Sequence, residues 1–168
     1  MKKFFIFFIL IILNFDISNV KANDKIAFID LNYILSESIS GKKILTELKT
    51  LSNSNEKKFE SKERELNKKK DEIKKLKNII SENEYLKKIN EFQKNVEIYN
   101  KEKSSIISTF ENLKKKELDI FFSSLNEIMS IYMKENNISI IIEKKSIIMA
   151  DKFSNITNNV LKLVNKKN

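Results

Sequence analysis

The chain has 168 residues, with 32 Lys and Arg against 23 Asp and Glu, and a formal net charge of +9. Cysteine, histidine, proline and tryptophan are absent, and Gly41 is the one glycine. This composition excludes a disulfide framework and a thiolate or imidazole zinc site, removes the usual base of neutral-pH catalysis, and leaves few obligatory helix breaks.

Met1-Lys2-Lys3 forms a short basic head, and Phe4 to Leu13 is an unbroken apolar run. At about 1.5 Å per residue this run spans ~15 Å of a ~30 Å hydrocarbon core, too little for a permanent span. Val20-Lys21-Ala22 puts small residues at the −3 and −1 positions of a cut before Asn23. Residues 1–22 therefore read as a cleaved secretory signal, and residues 23–168 as a mature chain of one domain with a net charge of about +7. Basic charge on an exported chain favours acidic polypeptides or anionic headgroups, and export argues against nucleic acid.

Lys25 to Ile29 is apolar and partly β-branched, a short strand that Asp30 ends. Leu31 to Glu37 reads as a short helix, and Ser38 to Gly41 as a break at which glycine supplies a permissive backbone. From Lys42 to about Ile80 a long helix is predicted. Leu45, Phe59, Leu66, Ile73 and Ile80 fall on one seven-residue series, interrupted by Ser52, while the partner series runs Leu48, Asn55, Lys62, Lys69, Leu76. One stripe stays apolar and the other turns polar in the middle, so the helix is amphipathic but weakly zippered. The segment Asn78 to Glu84 is the predicted reversal, by its Ser, Asn and Glu content.

A second helix is predicted from Glu84 to Glu135, with Ile89, Phe92, Val96, Tyr99, Ile106, Phe110, Leu113 and Ile120 on one face and a richer stripe of Phe121, Leu125, Ile128 and Tyr132 near its end. Lys103 and Glu117 interrupt the face. Paired antiparallel, the two helices meet best near Leu45 and Leu48 and near Phe121 to Met133. Each arm helix, of about 40 residues, reaches roughly 60 Å with little core to fix it. After Asn136-Asn137, Ile138 to Glu143 and Ile147 to Asp151 are read as a β-hairpin joined through Lys144-Lys145-Ser146. A C-terminal helix at Asn159 to Lys166 follows, with Thr157 as its N-cap and Val160, Leu161 and Val164 on one face.

The expected fold is α+β, predominantly α: a long antiparallel helical hairpin projecting from a small three-stranded body, with residues 23–50 and 115–168 in the body and 51–114 in the arm. Ile26, Phe28, Ile140 and Ile142, with Ile147 and Met149, would be poorly covered in a monomer, which points to oligomerisation through the sheet. Asp30 and Asp151 sit at strand ends as caps rather than as a catalytic carboxylate pair. Nothing builds a pocket or oxyanion hole around a Ser–Lys pair, so no enzyme, cofactor, metal or small-molecule substrate is expected.

The order strand, short helix, Gly-Lys-Lys, long hairpin, strand pair and short helix resembles the Skp/OmpH family. Local strings carry the likeness: Lys25 to Asp30, Leu35-Ser36-Glu37-Ser38 before Gly41-Lys42-Lys43, and Ile140 to Ser146 followed by Met149-Ala150-Asp151, Ile156-Thr157 and Val160-Leu161. Ile39-Ser40 and Lys152 stand where the family favours a proline beside a small residue and a proline, respectively. The resemblance implies a periplasmic homotrimer whose arms hold unfolded outer-membrane β-barrel proteins without ATP, with some contact to lipopolysaccharide or other anionic lipid. Candidate client-binding residues are Phe59, Lys62, Lys69 and Lys74 on the first arm helix and Lys77, Lys87, Lys88 and Phe92 around the tip. The competing expectation is a structural coiled-coil spacer or adaptor of the envelope.

Overall fold

The structure, a computed structural model, describes residues 25–167; the signal segment expected at residues 1–22 lies outside the described residues. Strand β1 is Lys25–Ile29, helix α1 Leu31–Glu37, α2 Ile39–Leu76, α3 Glu82–Glu135, strand β2 Ile138–Glu143 and helix α4 Thr157–Lys167. Single 3₁₀ turns occupy Lys144–Ser146 and Lys152–Ser154.

The helix boundaries are set by short polar side chains. Asp30 caps α1, its carboxylate accepting from the Tyr33 N–H at 2.9 Å. Ser38 ends α1 and caps α2 at once, its hydroxyl accepting from the Gly41 N–H at 3.1 Å. Ile39 is thus the first residue of α2, the position at which a proline is best tolerated. Ser81 and Glu84 form a reciprocal capping box at the start of α3. Asn137, at φ 54°, turns the chain out of α3 in the left-handed region that asparagine adopts readily.

Gly41 does not break the helix. It lies inside α2 without a positive φ, and a Cβ there would stand 1.9 Å from the Leu35 carbonyl oxygen. The glycine is needed for the close approach of α1 to α2 rather than for backbone freedom.

Two parallel strands make the sheet among the described residues, not three. β2 pairs in parallel with β1, matching Ile26 with Ile140 and Phe28 with Ile142. The expected hairpin fails at its connection. A tight antiparallel return needs residues that accept positive φ, and Lys144-Lys145-Ser146 instead coil into a 3₁₀ turn. Ile147 to Ala150 then runs free of the sheet, with Ile148 and Met149 at 105% and 90% exposure. Asn155 returns to bridge Phe28, and the Ile156 N–H donates to the Phe28 carbonyl at 3.0 Å.

The core is confined to the body. Ala27 and Ile29 from β1, Ile34 from α1, Phe121, Leu125 and Ile128 from α3, Ile138 from β2, and Ile156, Val160 and Val164 at the C-terminus pack into one cluster. Thr157 is the first residue of α4 rather than its N-cap. Its hydroxyl accepts from the Asp30 N–H at 2.9 Å, and its own N–H donates to the Asn155 side chain at 3.0 Å. That bond locks the end of β1 onto α4, and Asn165 locks the other end of α4 by accepting from the Ile39 N–H at 2.9 Å.

Candidate functional site

Leu48 on α2 and Phe121 on α3 mark the edge of the body: both are buried, and no residue between them is. Everything beyond is a two-helix arm whose best-covered side chains are only half-buried. Its seam consists of Phe59, Leu66, Ile73 and Leu76 on α2 against Ile89, Phe92, Val96, Tyr99, Ile106 and Phe110 on α3. At the root, Ile44 packs against the core and Leu48 is buried, while Leu45 is exposed.

Lys103, which reads in sequence as an interruption of the apolar face, sits in the seam. Its ammonium donates to Glu63 at 2.7 Å, the Tyr99 hydroxyl donates to the same carboxylate oxygen at 2.7 Å, and the ammonium lies 5.2 Å from the Phe59 ring centroid. The sequence signal was available: a Glu and a Lys standing opposite each other when the hairpin is folded about Ser81. The remaining arm ion pairs run along single helices, such as Lys62 and Lys69 to Glu65 and Lys74 to Asp71. Exposed pairs of that kind contribute little.

Electrostatics keep this cross-helix tie closed at neutral pH. The Lys103 ammonium, then the Tyr99 hydroxyl, holds the Glu63 carboxyl below the usual carboxylate range, and Glu63 in turn holds Lys103 above its ordinary value. A depressed carboxyl contributes stability above its unfolded value and loses it as pH falls through the folded one. A raised ammonium contributes below its unfolded value and loses it as pH rises through the folded one. Amide exchange around Tyr99 and Lys103, corrected for intrinsic rate, should therefore show constant protection from about pH 6 to about pH 8 and reduced protection near about pH 3. Glu63→Gln should abolish that acid step.

The candidate client-binding residues are spread along the arm. Lys69, Lys88 and Phe92 line one opening of about 300 Å³ between the helices with Ile73 and Leu76. Lys62 and Lys69 line another with Leu66 and Tyr99. Phe59 lies nearer the root, under Lys103, and Lys74, Lys77 and Lys87 are exposed near the tip. Of the candidate oligomerisation residues, Ile26, Phe28, Ile140 and Ile142 come together through the strand register, Ile26 and Ile140 about half exposed. Ile147 and Met149 lie outside the sheet.

Of the two carboxylates expected at strand ends, Asp30 ends β1, whereas Asp151 follows no strand and caps the 3₁₀ turn Lys152–Ser154. Asp30 caps α1 and accepts from Lys144 at 3.0 Å; the Tyr33 N–H first and Lys144 second hold its carboxyl below the ordinary range. Asp151 accepts from the Phe153 N–H at 2.9 Å. No helix among the described residues is long and apolar enough to cross a membrane.

Comparison with known proteins gives two findings. The family model described as outer membrane protein (OmpH-like) matches residues 25–164. The crystal structure of a proposed outer membrane chaperone (OmpH-like) from Caulobacter crescentus CB15 has the same fold, with a TM-score of 0.75 at 14% identity over 86% of this chain and 85% of that one. No curated protein matches the chain.

Proposed function

As the chain belongs to the OmpH-like family of outer membrane proteins, we propose that it is an ATP-independent holdase of the periplasm, which binds unfolded outer-membrane β-barrel proteins and prevents their aggregation on the way to the outer membrane. The observation that carries this reading is the arm, where no residue between Leu48 and Phe121 is buried. Side chains that a compact protein would consume in its core stay half-open along two helices that share little core. They can shield many different apolar segments weakly, as a chaperone of varied clients requires.

In this reading residues 51–114 are the grip and residues 23–50 and 115–168 the body. Lys62, Lys69, Lys74, Lys77, Lys87 and Lys88 steer acidic stretches of client while Phe59 and Phe92 offer apolar contact. Lys77, Lys87 and Lys88 near the tip also suit anionic lipid headgroups, lipopolysaccharide among them. The outward apolar face of the two-stranded sheet, with Ile147 and Met149 beside it, is too exposed to be left to water in a stable body. Covering it with sister copies makes a homotrimer with the arms around a shared space, and the segment at residues 1–22 exports the chain.

The test is light scattering from an unfolded β-barrel membrane protein diluted out of denaturant without ATP. Addition of residues 23–168 near stoichiometric ratio is expected to suppress the scattering. No suppression at any excess would favour a passive spacer.

A further inference from the structure

We propose that the opening at the root of the arm, between Phe59 on α2 and Phe110 on α3, is a client subsite that takes a bulky apolar side chain flanked by lysine or arginine. The proposal rests on the holdase reading and adds to it the chemistry of one class of client segment.

The opening arises from the sequence on both helices. Ser52 and Asn55 stand where apolar residues would close the seam, and Lys103 occupies the facing stripe, reaching across to Glu63. The helices leave a space of about 550 Å³, within the ~300–1,000 Å³ of ordinary ligand clefts. Its apolar surface comes from Phe59, Phe110 and Ile107, the last 46% exposed.

Its rim has the opposite sign to the chain as a whole. Across the sequence, bases outnumber acids 32 to 23, yet Glu56, Glu60, Glu63 and Glu111 line this opening against the lone base Lys103. Lys103 is already held by Glu63 at 2.7 Å. Glu60 and Glu111 have Arg64 and Lys114 on their own helices, at 3.9 and 3.7 Å between exposed side chains. Pairs that long and that wet are weak and exchange readily for a better partner. The openings nearer the tip are balanced, Lys69 and Lys88 against Glu72 and Glu91 in one, Lys62 and Lys69 against Glu65 and Glu102 in the other. An unfolded chain of mixed charge thus meets evenly balanced openings toward the tip and an acidic one at the root. A segment with an aromatic or large aliphatic side chain between cationic residues matches the root in both shape and sign.

Two fluorescent peptides with one apolar centre, flanked by lysine in the first and by glutamate in the second, are titrated at low ionic strength into the whole chain from residue 23 onward. The lysine-flanked peptide is expected to bind roughly five- to tenfold more tightly, the scale of a few exposed charge contacts. The triple variant Glu56→Gln, Glu60→Gln, Glu111→Gln changes only exposed side chains outside the seam, and should reduce that preference below about twofold. Equal or tighter binding of the glutamate-flanked peptide, or a preference that survives the triple substitution, overturns the subsite. Light scattering on the same samples separates the two readings. Aggregation suppressed without a peptide preference removes the subsite and keeps the holdase, whereas a preference without suppression removes the holdase.

Discussion

Replacing Gly41 by alanine is expected to destabilise the body by about 2–4 kcal/mol, or roughly 6–15 °C in Tm. Helix propensity alone predicts the reverse sign. Gly41 sits in the first turn of a 38-residue helix, and alanine is favoured over glycine within helices by about 1 kcal/mol. The added methyl, however, would lie 1.9 Å from the Leu35 carbonyl oxygen and 2.7 Å from the Ser38 hydroxyl. The first of these is backbone and cannot rotate aside. Relief requires α1 to move away from α2, which pulls on Ile34, fully buried in the core, and on Ser38, whose hydroxyl caps α2. Thermal unfolding of Gly41→Ala measures the balance directly, and a Tm equal to or above that of the parent would contradict the close packing of the corner.

The features legible in the sequence are those written in local order. The seam from Phe59 to Leu76 and from Ile89 to Phe110 follows helical spacing, and the reversal follows from Ser81 and Glu84, spaced as a capping box. The sheet was harder for a physical reason. Ile138 to Glu143 is β-branched and reads as a strand, but nothing local says that its partner is Lys25 to Ile29, more than a hundred residues upstream. The nearer segment Ile147 to Asp151 has equal β-propensity, and only the missing turn chemistry at Lys144 to Ser146 argues against it.

The arm's polar tie was hidden for a related reason. Lys103 breaks an apolar stripe when each helix is read alone, and it becomes a partner for Glu63 and Tyr99 only once the hairpin is folded. Gly41 misled because glycine more often signals backbone freedom than close approach. The expectation for Asp30 survived because a cap is a contact over three residues, well within the reach of a sequence pattern.

The central claim is a division of labour: the body holds the fold and the arm holds the client. The body has its own core between β1, α1, α4 and the last turns of α3, whereas the arm contributes no buried residue. Removing residues 52–72 from α2 and 89–109 from α3, three heptads from each, keeps the Ser81 turn, Leu48 and Phe121 in place. It takes away Phe59, Lys62, Lys69, Phe92 and the Glu63–Lys103 tie. Measured beside the full-length arm, this shortened chain should unfold within about 3 °C of the parent, and its suppression of β-barrel aggregation should fall by more than about tenfold. A shortened chain that suppresses scattering as well as the parent would contradict the account.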